Sequence, residues 1–237
     1  MEQISRKAVI GVLGGMGPLA TIDFMTKIVQ ATPAKVDQEH IPLIVYDVPQ
    51  IPDRTQAIRD HSDAPFPILL KGLRTLEQAG ADYIAIPCNT AHFWYDRLAE
   101  AGRVPIIHIA DAARRSIQER AAGGRIALLG TRGTIGTRIY QKRLSDAAID
   151  LFVPEEATQT LVDAAIAAVK ANELDRARET ADAVAERLLG TGTDVLLLAC
   201  TELPLAFAKS REAARALDAT AALARACVAA SLGTATP

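Results

Sequence analysis

Short apolar runs alternate along this chain with stretches whose apolar residues recur every three or four positions. Lys7–Leu13, Ile41–Val48, Tyr83–Ile86 and Val104–Ile109 read as strands. Pro18–Gln30 reads as a helix with proline in its first turn, where the missing N–H is no loss. Ile68, Leu69, Leu73 and Leu76 have helical spacing, which predicts a helix to Gln78 with Gly80 as its stop. Another helix follows Cys88. Pro49 and Pro52 deny a ladder to Pro49–Thr55, which reads as a loop. The pattern then restarts with a strand at Ile126–Leu129, a glycine/threonine loop at Gly130–Gly136 and a helix at Arg138–Ala147. It continues with a strand at Ile149–Val153, a helical face of Leu161, Val162, Ala165, Ile166 and Val169, and a helix at Glu173–Leu189. A strand at Val195–Leu198 and an alanine-rich helix at Asp218–Leu232 close the chain. Strands alternating with helices predict an α/β fold of parallel sheets with both faces covered.

The restart is a repeat. Ala79–His92 and Gly190–Pro204 each read as small residues, an Asp, an apolar strand, a Cys and then polar residues. Gly14 and Gly130, each closing an apolar run, lie 116 residues apart, and Cys88 and Cys200 lie 112 apart. We therefore expect two similar α/β units with a soft boundary near Val104–Arg114. The first is residues 1–110 plus the C-terminal helix segment 213–237, and the second is 111–212.

Composition narrows the class. The 237 residues are 49% hydrophobic and 23% charged, ordinary for a globular protein. A net charge of −2 and 4% aromatics argue against nucleic acid and anionic membrane partners. No apolar run approaches the roughly 18 residues of a membrane span. Met1–Lys7 leads only into a short apolar run, so no signal peptide is expected and a cytoplasmic location is. Three widely spaced cysteines then fit free thiols. No C-x-x-C and no His pair at ligand spacing suggests a metal site.

Cys88 and Cys200 both fall at strand ends, where parallel sheets place ligands. Polar residues follow each: Asn89-Thr90 and Thr201-Glu202. Helix-start N–H groups there would favour an anion and lower a thiol pKa from its usual value of about 8.5. Two thiols across one cleft can move a proton from one face of a carbon to the other. The competing view is two buried structural cysteines.

Gly14-Gly-Met-Gly-Pro-Leu-Ala-Thr21, Pro87-Cys88-Asn-Thr-Ala-His92 and Ala199-Cys200-Thr-Glu-Leu-Pro204 resemble the signature stretches of the aspartate/glutamate racemase family, most of all its aspartate racemase branch. The resemblance spans nearly the whole chain. It implies two pseudo-symmetric α/β domains with the active site in the cleft between them, usually in a homodimer. It implies a cofactor-independent racemase in which one cysteine takes the α-proton and the other returns one to the opposite face. Asn89, Thr90 and Thr201 would hold the α-carboxylate, and Met16 and Gly17 would bring backbone close to the substrate. Arg54, in Asp53-Arg-Thr55, and Lys170 would hold a side-chain carboxylate; a bidentate Arg suits one geometrically. From the residues themselves, Glu202 either assists Cys200 by positioning the amino group or stabilises the first turn of a helix, and Thr131, with Thr134, would border the site.

Other features have alternative readings. Gly15-Met-Gly-Pro-Leu-Ala20 fits G-x-G-x-x-A, but no acid follows at the expected distance, so we read a turn lining the cleft rather than a dinucleotide site. His92 either tunes the thiol or packs and caps. His108 and Cys227 read as structural, Asp82 and Asp194 as turn residues. The leading function is interconversion of L- and D-aspartate, with glutamate or a broader amino-acid range as the alternative. An isomerase or decarboxylase of small dicarboxylates and a non-catalytic binding protein remain as rivals.

Overall fold

The computed structural model describes residues 6–121, 123–145 and 149–234. The reading of a leaderless N-terminus at residues 1–5, the helix end at Ala147 and the last three residues of the 213–237 segment lie outside them. The first half runs β1 (Ile10–Gly14), α1 (Pro18–Ala31), β2 (Leu43–Asp47), α2 (Arg54–Arg59), α3 (Pro65–Gln78), β3 (Tyr83–Ala85), α4 (Tyr95–Ala101), β4 (Ile106–Ile107) and α5 (Ile109–Arg120). The second runs β5 (Arg125–Gly130), α6 (Arg132–Gly136), α7 (Ile139–Leu144), β6 (Asp150–Phe152), α8 (Glu156–Lys170), α9 (Leu174–Leu189), β7 (Val195–Ala199), α10 (Leu203–Phe207), β8 (Ala216–Asp218) and α11 (Ala219–Leu232). Each half is a four-stranded parallel sheet, in the orders β2-β1-β3-β4 and β6-β5-β7-β8. The two orders are the same pattern, so the α/β fold with two similar units stands as expected. Among the described residues no helix is long and apolar enough to cross a membrane.

Local chemistry explains where the elements differ from expectation. The run 104–109 is a strand only at Ile106–Ile107, because Ile109 already opens α5. His108 sets that boundary: its Nδ1 accepts the Ala110 N–H at 3.1 Å. The first strand is displaced to Ile10–Gly14. The proline loop ends at Asp53, whose carboxylate caps α2 through the Gln56 N–H at 2.8 Å, so Arg54 and Thr55 are helical. Thr131 likewise caps α6 through the Thr134 N–H at 3.1 Å, turning most of the expected glycine/threonine loop into a helical turn. Ala216–Asp218, grouped with the first half by sequence, pairs with β7 and is the edge of the second sheet. Asp218 then caps α11 through the Thr220 and Ala221 N–H groups.

Each half lends its last helix to the other. α11 packs on α1 of the first half and on α5, while α5 packs on α7 of the second. One core joins both sheets here, including Ile10, Val12 and Phe24 with Ile126, Leu128 and Leu197; Cys227 is buried in it. Two further cores lie under the outer helices, α3 with α4 and α8 with α9. Each fully buried Leu or Ile contributes about 1.5–3 kcal/mol, and the central core spans both halves, which sets the two sheets' carboxyl edges against each other.

Candidate active site

The first turn at that edge is shaped by one glycine. Gly15 has φ +90°, and a Cβ there would come within 2.3 Å of the Val48 carbonyl carbon. Only glycine lets the turn press against the β2–α2 connection. Met16 is thereby buried at the cleft, with Gly17 beside it. β3 ends three residues before Cys88, and β7 ends directly before Cys200. Both cysteines are 4% exposed.

One cavity between the halves is lined by Met16, Arg54, Cys88, Asn89 and Thr90 from the first half, and by Thr131, Lys170, Cys200, Thr201 and Glu202 from the second. Asp53 and Thr55 complete it; the sequence did not single them out, although they flank Arg54. Ten of the eleven expected site residues thus come together. Gly17 lies instead in an adjoining depression of about 400 Å³, which shares Arg54, Lys170 and Glu202 with the cavity and has apolar walls at Leu19, Ile51 and Val169. The inner cavity measures about 20 Å³, room for a water and not for an amino acid. The halves meet closely around it.

Three threonine hydroxyls tie the halves together beside the cavity. Thr90 Oγ1 lies 2.8 Å from Thr131 Oγ1 and 3.0 Å from Thr134 Oγ1, and Thr131 reaches Thr134 at 3.1 Å. At Gly133 a Cβ would stand 2.8 Å from both Thr55 Oγ1 and Thr90 Cγ2, so the two halves meet with no space for a side chain. Lys170 Nζ lies 3.9 Å from Asp53 Oδ2 across the same cleft.

Three buried polar atoms at the site have no partner: Arg54 Nε, Asn89 Nδ2 and Glu202 Oε1. Two are donors and one an acceptor, the complement of a carboxylate and an ammonium. An unpaired buried polar atom costs about 1–3 kcal/mol. Arg54 is partly engaged by backbone: Nη1 donates to the carbonyls of Ile51 and Pro52 at 3.2 Å and Nη2 to that of Met16 at 3.3 Å, which leaves Nε and one N–H of Nη2.

The two thiols sit in different surroundings. Cys200 Sγ donates to Glu202 Oε2 at 3.0 Å, and Thr201 Oγ1 donates to the same oxygen at 3.3 Å. Burial first, and then the Glu202 carboxylate, push the Cys200 thiol well above its ordinary pKa. This overturns the expectation of a thiol acidified by a helix start; α10 has only five residues, too short for a large macrodipole. Cys88 is followed by a short 3-10 turn, Thr90–Trp94, that leads directly into α4. His92 bonds the backbone at Cys88. Its Nδ1 donates to the Cys88 carbonyl at 2.9 Å, and its Nε2 accepts the Ile109 N–H at 3.2 Å. Burial lowers its pKa to about 4, so the ring is neutral and holds the backbone under Cys88. His108 caps α5 and meets the His92 ring edge-on at 4.6 Å.

Sequence reasoning missed Tyr140. It is fully buried on α7, and its hydroxyl donates to Asn89 Oδ1 at 2.5 Å. The two residues are 51 positions apart, in different halves, with no pattern to connect them.

A family model described as Asp/Glu/hydantoin racemase matches residues 13–227. The chain belongs to this family. Across 92% of its length it is 30% identical to the broad specificity amino-acid racemase RacX of Bacillus subtilis, covering 96% of that protein. Its fold superposes on the aspartate racemase of Picrophilus torridus with a TM-score of 0.84 and 32% identity, covering 94% of each chain. It is also 28% identical over 127 residues to the glutamate racemase of Corynebacterium kroppenstedtii, covering 53% of this chain and 43% of that one. No group of three or more metal-ligating side chains occurs among the described residues.

Proposed function

We propose that this protein is a cofactor-independent amino-acid racemase that interconverts L- and D-aspartate by two-base proton transfer between Cys88 and Cys200. The observation that carries the reading is one cavity holding both thiols, one from each half, together with unpaired donors and an unpaired acceptor. The high pKa of Cys200 makes it the thiol that donates in one direction of the reaction. Cys88, as thiolate, then takes the α-proton from the opposite face, and Cys200 delivers its own proton to the carbanion. In the reverse direction the roles exchange. The developing negative charge spreads into the α-carboxylate, so fixed donors there stabilise the transition state more than the substrate. Asn89, Thr90 and Thr201 serve this, and Glu202 Oε1 receives the ammonium. Lys170 and Arg54 take a side-chain carboxylate. Binding requires the cleft to open and reclose, which would expel water from the reacting centre. Likeness to the aspartate racemase of Picrophilus torridus supports aspartate, and likeness to the broad specificity amino-acid racemase of Bacillus subtilis supports a wider range.

The test is exchange in D₂O, with reductant present and no cofactor added. L-aspartate, L-glutamate and neutral amino acids are followed by chiral chromatography and mass spectrometry. Deuterated D-aspartate is expected to form fastest. Equal or faster turnover of neutral amino acids would replace aspartate with the broader range. No exchange with any amino acid overturns the racemase.

A further inference from the structure

We propose that Tyr140 is a positioning residue for this site: its hydroxyl fixes the side-chain amide of Asn89 so that Nδ2 is held as an open donor for the substrate carboxylate. The inference rests on the racemase reading for the identity of the ligand, and on geometry alone for the orientation. The two ends of an asparagine amide are nearly isosteric, so a partner must choose between them. Tyr140 is fully buried, and among the described residues its hydroxyl has one hydrogen-bond partner, Asn89 Oδ1 at 2.5 Å. A phenol carries one proton. If the amide flipped, Nδ2 would donate to the phenol oxygen and the buried phenolic proton would have no acceptor. The observed orientation satisfies both groups and leaves one atom over. That atom is Nδ2, buried and without a partner on a residue that lines the cavity with Cys88 and Cys200. Tyr140 itself does not line the cavity, so it acts through Asn89. Burial raises its pKa well above the usual phenol range, which keeps the donor protonated. Because Tyr140 comes from α7 of the second half and Asn89 from the first, the donor is set only when the halves are docked.

The experiment compares Tyr140→Phe, Asn89→Ala and the double variant in the full chain. It reads kcat/KM for aspartate and the side-chain NH₂ signal of Asn89 in ¹⁵N NMR, assigned by its loss in Asn89→Ala. Tyr140→Phe is expected to lower kcat/KM roughly tenfold and to shift the Asn89 signal. In the Asn89→Ala background the same substitution should change kcat/KM less than about twofold. Equal losses in both backgrounds would show a merely structural role and overturn the proposal, as would an unmoved Asn89 signal. Asn89→Asp keeps an acceptor for Tyr140 but loses the donor; wild-type activity there also overturns it. If the wild-type protein exchanges no amino acid, the racemase reading fails by itself, and the NMR signal alone decides whether Tyr140 orients Asn89.

Discussion

The two halves share one topology and differ in chemistry. Cys88 and Cys200 each follow the third strand of their unit, yet only Cys200 donates to a carboxylate two residues away. On the Cys88 side the side chain that reaches back is His92, and it holds the backbone carbonyl rather than the sulfur. The same contrast appears one strand further on. His108 caps the helix after β4 with a neutral imidazole, and Asp218 caps the helix after β8 with a carboxylate. The two halves keep the placement of these groups and differ in what each side chain bonds. Racemisation needs this kind of inequality at any instant, since one sulfur must be bare while the other holds a proton.

The largest effect should come from removing either sulfur. Cys88→Ala and Cys200→Ala are each expected to lower racemisation more than about 10³-fold, because a one-sided site cannot invert a carbon. Circular dichroism and Tm should stay close to wild type, since each deletes a small side chain at the cavity wall. Near wild-type racemisation in either variant would remove the two-base mechanism.

Both cysteines were legible in the sequence because strand ends in α/β proteins are chemically marked: an apolar run, a Cys, then polar residues. The two glycine turns, Gly14-Gly15 and Gly130, were legible for a similar reason. Boundaries were lost where two elements share one apolar run. Ile106 to Ile109 reads as continuous strand, and only the side chain of His108 divides it. β8 was invisible because three residues carry no periodicity. The orientation of Asn89 was invisible because it depends on a tyrosine from the other half. Arg54 was found, but its terminal nitrogens are engaged by backbone carbonyls, a detail that spacing does not encode.

The next effect is on stability and concerns the first half alone. Burial lowers the His92 pKa from 6.5 to about 4 in the folded chain. The unfolded chain takes up the proton near pH 6.5, while the fold refuses it until about pH 4. The contribution is therefore fully present above pH 6.5 and is lost as pH falls from there toward 4, ~3 kcal/mol in all. His108 is shifted in the same direction, by burial first and then by His92. Urea unfolding should show the protein less stable at pH 5 than at pH 7.5 by roughly 2 kcal/mol from His92 alone. A flat profile between those values would mean that the pair is protonated, or solvated, in the folded state. It would also remove the contrast between the two helix caps.

The third effect asks whether Glu202 raises the Cys200 pKa. Burial is the first cause of the high Cys200 pKa, and the Glu202 charge and its hydrogen bond come next. Glu202→Gln keeps the shape and an acceptor for the S–H but removes the charge, so the Cys200 pKa should fall. The thiolate absorbs near 240 nm, and its titration can be followed with Cys88 and Cys227 replaced by alanine. The midpoint should move down by about one pH unit or more. In the full enzyme the high-pH limb of kcat/KM should move down too, in the direction in which Cys200 delivers the proton. The loss of an acceptor for the ammonium should lower kcat/KM roughly 30-fold in both directions. A Cys200 titration that ignores the substitution would assign the shift to burial alone.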